Sequence, residues 1–86
     1  METNIDTINI SDLACATALV CEGIFPVNFI KDPSSPKIDI VFPLTKQTNQ
    51  TIEDFWLGKH KCVSREYFEN LKMLKNRIYS LKNNGE

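Results

Sequence analysis

The sequence predicts an α+β fold: a helix, an antiparallel β-hairpin, a short helix and a long C-terminal helix, with scope for three short strands. Three observations carry that reading. Residues 13–22 are apolar nearly all round, which marks a helix buried on several sides. Residues 24–31 and 37–42 alternate with period two on either side of Asp32-Pro33-Ser34-Ser35-Pro36, the pattern of two strands joined by a turn. Tyr67, Leu71, Leu74, Ile78 and Leu81 recur at spacings of four and three, so they line one face of a final helix.

Residues 1–10 are polar, with isoleucines at 5, 8 and 10, and read either as a tail or as a short added strand. We treat 1–10 as an N-terminal extension and 11–84 as a single domain. Ser11 is placed as the N-cap of the first helix, with Asp12 favourable to its dipole, and Gly23 as its left-handed stop. In the hairpin, Phe25, Val27 and Phe29 share one face, as do Ile38, Ile40 and Phe42. Pro26 lacks the N–H of a central strand, so the first strand belongs at an edge or a bulge. Thr48 is the expected cap of a short helix over about 49–57, with Ile52, Phe55 and Trp56 on one face and Gly58 as its stop. Lys59 to Val63 is extended and is a candidate third strand. Ser64 caps the last helix, Val63 and Phe68 are spaced for a hydrophobic staple, and the helix frays at Asn83-Asn84-Gly85. The expected core is Leu13, Leu19, Val20, Phe25, Val27, Phe29, Ile38, Ile40, Phe42, Ile52, Phe55, Trp56, Phe68, Leu71, Leu74 and Ile78.

Composition excludes several classes. With 86 residues the chain makes one domain, and 42% hydrophobic with 24% charged residues is a globular balance. No apolar run approaches the ~18 residues of a membrane span, and Glu2, Asp6 and Asp12 stand where a signal peptide would be basic. The expectation is a cytoplasmic protein. Three cysteines, an odd number, fit a reducing compartment, and Cys15 and Cys21 fall on different faces of one helix and cannot bridge. Charge is unevenly placed: residues 1–58 hold eight acids and three bases, residues 59–86 seven bases and three acids, so −5 and +4 give the net −1.

The candidates for chemistry are few. Cys62 lies beside Lys61 and two residues from His60, and cationic neighbours lower a thiol pKa and make it nucleophilic. No third orienting group is apparent, and a small apolar strand residue explains Cys62 equally well. His60, Cys62, Cys15 and Cys21 lack the close ligand pairs of a structural zinc site. Glu53-Asp54 and Glu66/Glu69 read as helix-surface acids, and Gly23, Gly58 and Gly85 form no phosphate loop. We therefore expect no enzyme, no metal and no cofactor. The stronger lead is a basic face: Arg65, Lys72, Lys75 and Lys82 fall within about 100° on a helical wheel, and Lys59, His60 and Lys61 lead into that helix. Such a face either meets phosphates or is simply solvated.

Phe55-Trp56-Leu57-Gly58, then Val63-Ser64-Arg65-Glu66-Tyr67-Phe68, then Leu71-Lys72, Leu74-Lys75 and Ile78-Tyr79 resemble the domain-of-unknown-function family 5659, small proteins of bacteria and their phages. The opening Ser11-Asp12-Leu13-Ala14, Gly23 and the Ile38–Phe42 segment share the resemblance; residues 1–10 and the cysteines at 15 and 21 depart from it. It implies a phage or mobile-element setting and a helix–hairpin–helix–helix layout. That family has no assigned activity, so no catalytic residue is carried over.

The functional expectation is a non-enzymatic interaction module that binds a protein partner and self-associates as a homodimer, without a membrane. The alternatives are a nucleic-acid-binding accessory protein using the basic last helix, and a small-ligand binder with a pocket between subunits.

Overall fold

The computed structural model describes residues 6–84; Ile5 and Gly85 lie outside them. The elements are β1 (Thr7–Ile10), α1 (Leu13–Cys21), β2 (Asn28–Lys31), β3 (Ile38–Pro43), α2 (Lys46–Trp56) and α3 (Ser64–Asn84). The three strands form one antiparallel sheet in the order β1-β3-β2. Its register sets Ile8 opposite Phe42, Ile10 opposite Ile40 and Phe29 opposite Ile40, so one face is apolar and takes the helices. The molecule is 20 Å deep along its short axis, the depth of a sheet and one helix layer.

The third strand comes from the N-terminus and not from Lys59–Val63, which connects α2 to α3 without joining the sheet. The reason is the apolar pattern. Ile8 and Ile10 supply the two core-facing side chains an edge strand needs, whereas Lys59–Val63 offers only Cys62 and Val63, both exposed. The Leu44 N–H donates to the Asp6 carbonyl at 2.8 Å and prolongs the β1–β3 pairing. Thr7–Ile10 is thus part of the same sheet as the rest of the domain.

α1 is the helix around which the others assemble. Asp12, one residue after Ser11, is its N-cap: the carboxylate accepts from the Cys15 N–H at 2.9 Å. At its other end Gly23 has φ +84°, its N–H bonds the Val20 carbonyl, and the Ile24 N–H bonds the Leu19 carbonyl. This is the paired bonding of a Schellman stop, which needs a residue without a Cβ penalty at the left-handed position. Between the caps Cys15 to Val20 are all buried. Thr17 is tolerated there because its hydroxyl donates to the Leu13 carbonyl at 2.8 Å. α1 packs on α2, on α3 and on the sheet through Ile10, Ile40 and Phe42.

α2 begins three residues before the expected helix. Thr45 and not Thr48 is its cap, accepting from the Thr48 N–H at 3.1 Å. Thr48 is buried and donates its own hydroxyl to the Pro43 carbonyl at 2.7 Å, tying the helix to the end of β3. Gly58, at φ +74°, ends α2 with the same bonding as α1: its N–H reaches Phe55 and the Lys59 N–H reaches Asp54.

The core is Ile10, Cys15, Ala16, Leu19, Val20, Ile24, Ile40, Phe42 and Leu74, with Ile8, Leu13, Phe29, Ile52, Phe55 and Ile78 packed around it. Four residues expected inside are outside: Phe25 (61% exposed), Val27 (59%), Trp56 (64%) and Phe68 (58%). Regular β2 starts only at Asn28, and the Val27 N–H already pairs with the Val41 carbonyl although Asn28 is Val41's register partner. That bulge before the edge strand breaks the alternation that would have turned Phe25 and Val27 inward. The expected staple is also absent as a buried contact, since Val63 is 59% exposed.

Leu74 is the one α3 residue at the centre of the core. Leu74→Ala should cost about 2–5 kcal/mol, whereas Trp56→Ala should stay within about 0.5 kcal/mol. Urea unfolding midpoints of the two variants check both.

Candidate functional site

Three surfaces carry residues that the fold leaves available. The first is an open cleft of about 680 Å³ between the end of α2, the 59–63 connection and the start of α3, lined by Phe55, Gly58, His60, Lys61, Cys62, Ser64 and Tyr67. It brings His60 and Cys62 together, but each is engaged elsewhere. His60 has only 10% of its side chain exposed, and its Nε2 meets a Glu22 carboxylate oxygen at 2.9 Å. The Cys62 thiol is pushed up to about 11 by partial burial, by hydrogen bonding with Cys21 and by the nearby carboxylates Glu22 and Glu66. Lys61 does not reverse this, so the thiol is held protonated and is a poor nucleophile at neutral pH. Tyr67 closes the inner wall; its hydroxyl donates to the Ala14 carbonyl at 3.4 Å, and burial raises its pKa. Cys15, buried in α1, is likewise raised to about 11 by burial, with Asp12 adding to it.

The second surface is an apolar groove of about 240 Å³ between the approach to β2 and α3, lined by Phe25, Pro26, Phe29, Met73, Leu74 and Arg77. The Arg77 guanidinium lies over the Phe29 ring, 5.7 Å from its centroid. Phe25 and Met73 (46% exposed) line it and stand out to solvent. The outer edge of β2 pairs with no strand among the described residues. It is short, it ends in Lys31, and the Phe29 N–H is taken by its neighbour's Asn28 Oδ1 at 2.9 Å. Those features discourage strand addition at this edge.

The third surface is the outer face of α3. Arg65, Lys72, Lys75 and Lys82 are exposed and share it, and so do the exposed aromatics Phe68 and Tyr79 (68%). The Lys72 ammonium sits 5.5 Å from the Phe68 ring centroid. Lys75 and Lys82 border a shallow depression floored by Leu13, Ile78 and Tyr79. Arg65 shares its charge with Glu69 at 3.4 Å, one helical turn on. Lys59 and Lys61 are exposed on the connection. Of the basic residues expected to act together, His60 is thus the one turned away, toward Glu22.

Three contributors escaped the sequence reading. The groove was not anticipated because Phe25 reads as a core strand residue. Arg77 falls off the stripe of Arg65, Lys72, Lys75 and Lys82, so the basic face gave no pointer to it. Glu22, the partner of His60, has no local signal, since 38 residues separate the two. Among the described residues no cluster of three or more His, Cys, Asp or Glu side chains is arranged to hold a metal, and no helix is long and apolar enough to cross a membrane.

No curated protein and no solved structure matches the chain. A family model does, over residues 5–80, and its span takes in every element from β1 through most of α3. The chain belongs to the family described as domain of unknown function (DUF5659).

Proposed function

We propose that this protein is a non-enzymatic interaction module, cytoplasmic and of phage or mobile-element setting, that binds a protein partner through the groove between Phe25 and α3. One observation carries the reading: Phe25 and Met73 leave large apolar side chains in solvent together, around a groove that already has an apolar floor in Phe29 and Leu74. A small domain has few such residues to spare from its core, and a concentrated apolar patch marks an interaction site. Arg77 at the rim supplies a cation that a partner's carboxylate would meet. The absence of an activated thiol in the cleft supports a binding role over catalysis: Cys62 is held protonated and His60 is engaged by Glu22.

Self-association belongs to the same reading, but its site moves. α1 lacks a polar face and the Tyr67–Leu81 stripe has the four–three spacing of paired helices, but both pack inside one chain. A homodimer would therefore form through the groove. Phe25→Glu with Met73→Glu should leave the urea midpoint nearly unchanged, because both residues are exposed, and should abolish partner capture and dimer sedimentation alike. Capture that survives the double variant would place the interface elsewhere.

A second reading, nucleic-acid binding, is favoured by the outer face of α3, where cations alternate with two exposed aromatics over a length of about 26 Å. Phosphates would meet the lysines while bases stack on Phe68 and Tyr79. On this reading affinity for single-stranded DNA falls steeply with salt, and Lys72, Lys75 and Lys82 changed together to Gln reduce the slope of log K against log salt by about 2. No retardation of a labelled oligonucleotide at low salt removes the reading.

A further inference from the structure

The shallow depression between the start of α1 and the later turns of α3 is built from two kinds of group. Its volume is about 380 Å³, within the range of small-molecule sites. Its floor is apolar: Leu13 and Ile78 are half-buried and continuous with the core, and Tyr79 lies exposed beside them. Its rim is cationic. Lys75 and Lys82 are two helical turns apart, about 10 Å along the axis, and Ile78 and Tyr79 fall between them on the same face. Both lysines are exposed, and their flexible stems let the two ammoniums swing over the floor. Asn76 adds an amide donor.

No carboxylate lines the depression. The ion pairs among the described residues are His60–Glu22 and Arg65–Glu69, so neither lysine is neutralised there. The acid next to the floor in sequence, Asp12, is turned to the Cys15 N–H as the cap of α1, at 2.9 Å. An occupant therefore needs an apolar body to cover the floor and a negative head for the lysines. Inorganic phosphate has the charge without the body, and a neutral hydrocarbon has the body without the charge.

We propose that this depression binds a single small organic anion, an aryl or short-acyl carboxylate, sulfonate or phosphate. The body takes Leu13, Ile78 and the Tyr79 ring out of water, and the head accepts hydrogen bonds from Lys75, Lys82 and Asn76. The site shares no lining residue with the groove at Phe25, and it does not include Lys72 or Phe68, on which the nucleic-acid reading also relies.

The test titrates the full chain with anilinonaphthalene sulfonate, an apolar anion whose fluorescence rises out of water, and locates the probe by amide chemical shifts. One molecule per chain should bind saturably, with the shifts centred on Leu13, Ile78 and Tyr79. Lys75→Gln with Lys82→Gln should weaken binding by about tenfold or more. Tyr79→Ala should weaken it as well, and both variants should keep the urea midpoint because the altered side chains are exposed. Phe25→Glu and Lys72→Gln should leave the affinity unaltered, and inorganic phosphate should not displace the probe. Absence of saturable binding, affinity that survives in the lysine or tyrosine variant, loss with Phe25→Glu or Lys72→Gln, or displacement by inorganic phosphate overturns the proposal.

Discussion

The structure depends on the envelopment of α1. A helix of Leu, Ala, Cys and Val with one Thr has no side fit for water, so it is stable only when surrounded. No other single element of the chain can surround it. The apolar face of a three-stranded sheet covers one side, α2 a second and α3 a third. Alanines at 14, 16 and 18 let these neighbours approach closely, and the two caps satisfy the helix ends without a polar side chain entering the core. The register of the sheet follows from the same demand. A shift of one residue would turn Ile8, Ile10, Ile40 and Phe42 away from α1.

This arrangement decides what is left for function. The inner stripe of α3 is consumed by α1, with Leu74 at the centre of the core and Tyr67 bonded to the Ala14 carbonyl. The surfaces that remain lie at the periphery, where α3 overhangs the approach to β2, where its outer face meets solvent, and where the α2–α3 connection folds back on the end of α1. The His60–Glu22 contact belongs to that last seam. The seam meets α3 in its first turns, at Asn70, and the groove lies further along it, at Met73 and Arg77.

Much of the fold was legible because its signals are local. Gly23 and Gly58 announced their stops, and the turn at Asp32 is built from its own carboxylate, which accepts from the Ser34 N–H and hydroxyl. The period of α3 predicted its buried face. The failures have one physical source: a residue's partner far along the chain. Phe25 and Trp56 fit core patterns locally, and only the bulge at Val27 and the orientation of α2 turn them out. Residues 7–10 and 59–63 were both short candidate strands, and the choice rested on which one met β3. For the site, the shared face of Arg65, Lys72, Lys75 and Lys82 was readable from helical geometry. The turning of His60 toward Glu22 was not.

Native-state hydrogen exchange tests the central place of α1 most directly. If the helix is enclosed by the sheet, α2 and α3, its amides from Ala16 to Cys21 exchange only when the whole domain unfolds, with an opening free energy equal to that from urea denaturation. The ends of α3 and the β2 edge should open far more readily. Exchange of the α1 amides by local opening, at a lower free energy than those around Leu74, would contradict the account.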